Sequence, residues 1–211
     1  MKEALFVLVD GQGMKPDELL HPLFSDKRIR KINASGAEKA RLDMALAEIA
    51  YLFAFKCAFG TSGKDRYAYG ENGKPYFVNE EYGYLSLSHA SGIGACVIAP
   101  VPVGCDVEGK TRDLSKIDRR IRNACAPETQ DALSLWCIKE SHVKLTGNGL
   151  KQPFSSLLYK DGGMILSDDG KPLSRVHSGD LKRCVWAVSA FEDVSVRTLY
   201  IRARDAYKEI G

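Results

Sequence analysis

The segment Gly104-Cys105-Asp106-Val107-Glu108, followed about thirty residues later by Trp136-Cys137-Ile138-Lys139-Glu140-Ser141-His142-Val143-Lys144, constrains this chain most. Side chains alternate faces along a strand, so Asp106 and Glu108 point the same way. Residues four apart stack on one face of a helix, so Trp136, Glu140 and Lys144 form a stripe. A strand end of this kind meeting such a helix brings three carboxylates and one ammonium together. Hard oxygen ligands with room left for phosphates suit Mg²⁺. The pattern therefore points to a metal-dependent enzyme acting on a phosphorylated substrate.

Each signal has a plainer account. Asp106 and Glu108 are also what an exposed edge strand carries, although the run before them, Ile93 to Val103, is apolar. Glu140 before Lys144 is the ordinary solvated helix pair, worth a few tenths of a kcal/mol. Ser88-His89 closes the strand-like run Leu85 to His89, where a lone histidine is commonly structural. Lys74 precedes a proline in a turn-like stretch, and the basic run Lys27 to Lys31 reads equally as a solvated face or as a phosphate contact.

At 211 residues and 45% hydrophobic, the chain is long enough for a full core. A formal charge of +3 does not suggest a dedicated nucleic-acid binder. The six cysteines are scattered without a CxxC pair, the pattern of free thiols in a reducing cytosol. Leu5 to Val9 is too short for the apolar region of a signal peptide, and no run approaches a membrane span. The expectation is a cytoplasmic protein touching neither membrane nor nucleic acid.

The chain reads as α+β. Leu5 to Val9 is a buried first strand, Pro16 to Leu20 a short helix, and Ser35 to Phe59 the first long helix, with Ser35 and Glu38 at capping-box spacing. The stretch from Gly70 to Gly83 is loop-like, and strands follow at Tyr84 to Ser88 and Ile93 to Ala99. After Pro100 and Pro102 come a strand around Val103 to Val107 and a basic helical stretch, Lys116 to Arg122. A second long helix runs from Pro127-Glu128 to about Thr146, closed by Gly147. A hairpin spans 155–166, Cys184 to Phe191 is a strand, and Val196 to Ala206 is ambiguous. The order predicts two similar α/β halves, 1–101 and 102–211, related by a pseudo-two-fold, each a small antiparallel sheet packed on a long helix.

Taken in order, Gly73-Lys74-Pro75, Leu87-Ser88-His89, Gly104-x-Asp106-x-Glu108 and Trp136-x-x-Lys139-Glu140-x-x-x-Lys144-x-x-Gly147-x-Gly149-Leu150 resemble the 4′-phosphopantetheinyl transferases, in their longer, two-half (Sfp-type) form. The resemblance implies transfer of the 4′-phosphopantetheine arm of coenzyme A to a serine of an apo acyl or peptidyl carrier protein, with release of 3′,5′-ADP. It implies Mg²⁺, with Mn²⁺ as a substitute, held by Asp106, Glu108 and Glu140. Glu140 would accept the serine proton, Lys144 would lie along the pyrophosphate, and Asp106 would complete the catalytic set. Ser88 and His89 match the pair on the 3′-phosphate, Lys74 and Pro75 the segment near the adenine. Lys27, Arg28, Lys31 and Arg41 lie where the family keeps basic residues for that phosphate, and Arg119, Arg120 and Arg122 are candidates for an acidic carrier. Ser141-His142 departs from the family's usual Ala followed by an aromatic residue, and His142 reads as packing or carrier contact. The expected protein is a monomer. Two rivals stand beside this reading: a Mg²⁺-dependent coenzyme A or nucleotide hydrolase, and a non-catalytic coenzyme A or carrier-binding subunit.

Overall fold

The computed structural model describes residues 2–114, 121, 131–149, 152–160 and 162–211. The Pro127-Glu128 helix start, Leu150, Asp161, the three candidate arginines 119, 120 and 122, and all of the 116–122 stretch except Ile121 lie outside the described residues.

Strand β1 (Lys2–Asp10) is buried on both faces. Ala4, Phe6 and Leu8 enter one core cluster, and Val7 and Val9 enter another. That alternation makes β1 a central strand. The first sheet runs β11-β1-β5-β4, with β4 Tyr84–Ala90, β5 Ile93–Ala99 and β11 Val194–Arg202. Its neighbours are antiparallel except β1 and β11, which are parallel, Lys2 opposite Val194 through Asp10 opposite Arg202. The chain's last strand therefore joins the sheet begun by its first. Helix α4 (Ala203–Ile210) follows directly, completing the ambiguous terminal segment as strand then helix.

Helix α1 (Asp26–Asn33) carries the basic cluster and is capped by Ser25. Helix α2 (Glu38–Phe59) covers the face of the first sheet formed by Val7, Val9 and Cys96. Its N-cap is Ala37 with no side-chain bond, which corrects the capping box expected of Ser35. The Ser35 amide instead donates to Ile32 O in the turn closing α1, so Ser35 belongs to the previous helix. Gly60, in the left-handed conformation, ends α2. The 70–83 stretch is more ordered than a loop. Strands β2 (Tyr67–Tyr69) and β3 (Pro75–Phe77) pair as a ribbon that turns at Gly73.

The second sheet runs β6-β10-β9-β8-β7, all antiparallel. It comprises β6 (Val103–Gly109), β7 (Leu157–Lys160), β8 (Met164–Ser167), β9 (Pro172–Asp180) and β10 (Cys184–Ala190). Strand β9 was not legible beforehand. Pro172 opens it, Gly179 sits inside it, and its side chains are mostly polar. Cys105, Val107, Cys184 and Val188 of this sheet share a core with Phe6, Leu8, Ala95 and Val97 of the first. Helix α3 (Ala132–Thr146) packs on the opposite face, with Leu135 and Ile138 against Val185 and Ala187. Asp131 caps α3 through its side chain, accepting from the Leu133 and Ser134 amides, and Gly147 closes the helix in the left-handed conformation. The result is α+β, two sheets each backed by one long helix. Among the described residues, no helix is long and apolar enough to cross a membrane. The five described cysteines are free thiols, four of them buried.

Candidate active site

Alternation along β6 decides the site. Val103, Cys105 and Val107 point into the core shared by the two sheets, so Gly104, Asp106 and Glu108 face the other way. Gly104 is where α3 makes its closest approach. A Cβ there would lie 2.2 Å from Ser141 O and 2.3 Å from Leu145 N. Only a residue without a side chain lets the helix sit this low on the strand, and the low seat carries Glu140 and Lys144 to Asp106.

Lys144 Nζ lies 2.7 Å from Asp106 Oδ1 and donates to Ser88 Oγ at 2.8 Å. Ser88 donates to the same carboxylate oxygen at 2.8 Å and accepts from the Val107 amide. Ser88 thus stitches the end of β4 to β6. Burial works against the Lys144 charge, but Asp106 and Glu140 outweigh it and hold its pKa above the ordinary lysine value. Glu108 is raised to about 7, first by burial and then by Asp106, with Arg112 and Lys144 opposing. Glu140 is also raised, by burial and by Asp106, with Lys144 and Arg112 pulling the other way. Carboxylates crowded in a half-buried cleft behave this way.

The sequence predicted that Asp106, Glu108 and Glu140 form a metal cage. Among the described residues, no three His, Cys, Asp or Glu side chains converge closely enough for that. Basic side chains neutralise the strand carboxylates instead, Lys144 at Asp106 and Arg112 at Glu108. Arg112 also stacks over the Trp136 ring, 4.6 Å from its centre. The donor set still suits a hard cation. Asp106 Oδ2 and Glu140 Oε2 are both buried and have no hydrogen-bond partner, a costly state for carboxylate oxygens that a divalent ion would relieve.

Glu140 and Lys144 line a cavity of about 140 Å³ whose other wall is Gly73, Lys74 and Pro75. Lys74 donates to Leu145 O at 2.5 Å, tying the β2–β3 ribbon to α3, and burial lowers its pKa. A larger cavity of about 820 Å³ meets the first at Gly73 and holds Lys27, Arg28, Lys31 and Lys64. A third, of about 550 Å³, adjoins at Lys74, Pro75 and Gly147 and is walled by Tyr76 and Tyr84. All three cavities use residues of the β2–β3 ribbon as a wall. His89 is exposed at the end of β4. The protein around it lowers its pKa by desolvation, with Lys144 and Arg28 acting in the same sense and Asp43 and Asp106 opposing.

The structure therefore brings Ser88, Asp106, Glu140, Lys144, Lys74 and Pro75 together, and places Lys31 on the adjoining basic cavity. Arg41 is set apart from them. It lies 3.9 Å from Asp17 and does not line that cavity. Arg28 points inward, 3.0 Å from Glu48. Two residues of the site, and one buried residue of its helix, were not singled out beforehand. Arg112 lies on the segment after β6 and has no periodicity to betray it. Lys64 lies just before β2, and only folding brings it to Lys31. Lys139, read only as a motif letter, is fully buried and donates to Ile121 O at 2.6 Å and Phe154 O at 3.0 Å. Burial lowers its pKa to about 8.

Residues 102–198 match the family model of the 4′-phosphopantetheinyl transferase superfamily, so the second half of the chain carries that superfamily's sequence pattern, as its motifs led one to expect. Among individual proteins, the chain is similar to the 4′-phosphopantetheinyl transferase psf-1 of Bacillus pumilus, 32% identical over 119 residues that cover 50% of this chain and 47% of that protein. It is also similar to the 4′-phosphopantetheinyl transferase Sfp of Bacillus subtilis, 30% identical over 112 residues covering 46% and 49%. The matched region spans about half the length of these curated relatives.

Proposed function

We propose that this protein transfers the 4′-phosphopantetheine arm of coenzyme A to a serine of an acyl or peptidyl carrier protein, giving the holo-carrier and 3′,5′-ADP. The observation that carries the reading is the convergence of Ser88, Asp106, Glu140 and Lys144 beside the Lys74 ribbon, on the family's motif positions. In the reaction a bond forms between the carrier serine Oγ and the β-phosphorus of the pyrophosphate, and the bond from that phosphorus to the bridging oxygen breaks. Glu140 is positioned to take the serine proton. Its raised pKa, caused mainly by burial, makes it a better acceptor than a solvated carboxylate. Lys144, kept charged by Asp106, stabilises the departing 3′,5′-ADP.

Asp106 and Glu140, whose buried carboxylate oxygens lack a partner, would hold a Mg²⁺ or Mn²⁺ ion, which supplies charge neutralisation of the pyrophosphate when bound, with Glu108 paired to Arg112 beside them. Coenzyme A would lie along the ribbon, its 3′-phosphate in the basic cavity by Lys31 and on the side toward His89, its pyrophosphate by Glu140, and its arm toward Tyr76 and Tyr84. In this reading residues 1–101 supply the coenzyme A wall and residues 102–211 the carboxylates. The protein works as a cytoplasmic monomer that engages neither nucleic acid nor membrane.

Intact mass of an apo carrier incubated with the protein, coenzyme A and Mg²⁺, with and without EDTA, tests this. An EDTA-sensitive gain of about 340 Da on the carrier serine is expected from metal-assisted phosphoryl chemistry. Release of 3′,5′-ADP without a carrier would identify a hydrolase instead. Coenzyme A binding with no gain on any carrier type would identify a binding subunit.

A further inference from the structure

The basic cavity is walled by α1, by α2 and by β2 with the loop before it, and a network of four side chains, with the buried pair Arg28 and Glu48 at its centre, half-buried Tyr67 and exposed Tyr69, joins all three. Arg28 of α1 is 7% exposed and Glu48 of α2 is 4% exposed. Arg28 Nε lies 3.0 Å from Glu48 Oε2. Its Nη2 donates to Met44 O at 2.8 Å, and its Nη1 to the Tyr69 hydroxyl at 3.3 Å. Tyr67 donates to the same Glu48 oxygen at 2.7 Å. Every nitrogen of this guanidinium is turned into the protein. Arg28 lines the cavity, but its nitrogens are set against protein groups, so it acts as a strut.

A buried ion pair contributes little net stability compared with apolar packing, yet losing one partner strands a charge. Its use here is geometric. Lys31 follows Arg28 by three residues on the same helix face and rests over the Tyr69 ring, 5.1 Å from its centre. Arg28 thus holds the Tyr69 hydroxyl while Lys31 covers the ring, so a shift of α1 against β2 moves both. Besides the Arg28–Glu48 pair, which cancels, the charged residues lining the cavity are Lys27, Lys31 and Lys64, opposed by Asp26 and Asp65. With so small an excess of positive charge, anion affinity depends on where the ammonium groups are held.

We propose that Glu48 is a positioning residue for this cavity, holding α1 against β2 through Arg28 and Tyr67 so that Lys31 and Lys64 converge on one phosphate. The inference rests on the coenzyme A reading and extends it to a carboxylate whose named partners, Arg28 and Tyr67, are protein groups.

Calorimetric titration of coenzyme A and 3′-dephospho-coenzyme A into wild type, Glu48→Gln and Tyr67→Phe tests the proposal. Wild type should prefer coenzyme A, and Glu48→Gln should lose about tenfold of that preference, the scale of coupling within one ion-pair network. Affinity for 3′-dephospho-coenzyme A should stay within about twofold. Tyr67→Phe keeps the ion pair and should lose preference in the same direction by less. Adding Glu48→Gln to Lys31→Ala should cost little beyond Lys31→Ala alone, since both act through one ammonium. Equal weakening of both ligands would overturn the proposal. So would variants that melt earlier yet keep the full preference, because Glu48 would then be structural only. Wild type binding both ligands equally would show that no phosphate sits in this cavity. Binding neither would sink the coenzyme A reading itself, a distinguishable outcome.

Discussion

Glu140 has one buried oxygen without a hydrogen-bond partner and a raised pKa, beside an ammonium held by another carboxylate. Glu140→Gln keeps the shape and removes the proton acceptor. Transfer should fall by about a hundredfold or more, within the range of general-base contributions, while coenzyme A affinity changes only a few-fold. Single-turnover transfer and calorimetric binding measure the two separately. Equal losses in both would make Glu140 chiefly a metal ligand. His142 behaves differently. It is 2% exposed, its Nδ1 lies 2.8 Å from Ser174 Oγ, and burial lowers its pKa to about 4. Below pH 6.5 the unfolded chain takes up this proton more readily than the folded one. Stability should therefore be lost as pH falls from 6.5 toward 4, by no more than about 3 kcal/mol. Thermal melts against pH for wild type and His142→Gln isolate the contribution, and the variant should show the shallower acid slope. Identical slopes would contradict the assignment.

At the scale of elements, the critical contact is α3 on β6 at Gly104. The motif reads as a strand with two same-face carboxylates, and that much was legible from the alternation. The glycine's role was not, because a close approach belongs to two elements and shows in neither alone. Gly104→Ala would place a Cβ against the backbone of Ser141 and Leu145, so α3 must lift off. The expected cost is about 1–3 kcal/mol, the usual penalty for overpacking. Transfer activity should fall more than this loss of folded protein explains, since Glu140 and Lys144 leave Asp106. Chemical denaturation alongside activity at low temperature, where the variant is still folded, distinguishes the two effects. Full activity in the folded variant would mean that the seat of α3 is not critical. The same kind of contact recurs at Gly94, where a Cβ would lie 2.2 Å from Leu46 O on α2.

For the whole molecule, the decisive pairing joins the chain's two ends. Strand β11 lies parallel to β1 along its full length, and Ala203, Ala206 and Ile210 of α4 enter the core under α2. Ending the chain after Asp193 should remove cooperative melting and expose β1 as a long apolar edge, giving aggregation by size-exclusion chromatography. A monomeric product with a sharp transition would refute this. The order of strands, the two long helices and the motif residues followed from local rules, namely periodicity, helix stops and strand alternation, each settled within a few residues of sequence. Those rules put Asp106 with Glu108 and Glu140 with Lys144 on shared faces, while Ser88 and Lys74 were singled out through the family resemblance. They misplaced the start of α2 because Ser35 satisfies its backbone in the preceding turn, and they missed β9 because a polar strand carries little apolar signal. The β1–β11 pairing, Arg112 on Glu108, the inward turn of Arg28 and the set-apart position of Arg41 are contacts between distant segments. Sequence determined which residues were available to the site. Tertiary structure alone decided which of them meet, because burial and ion pairing depend on neighbours that only folding supplies.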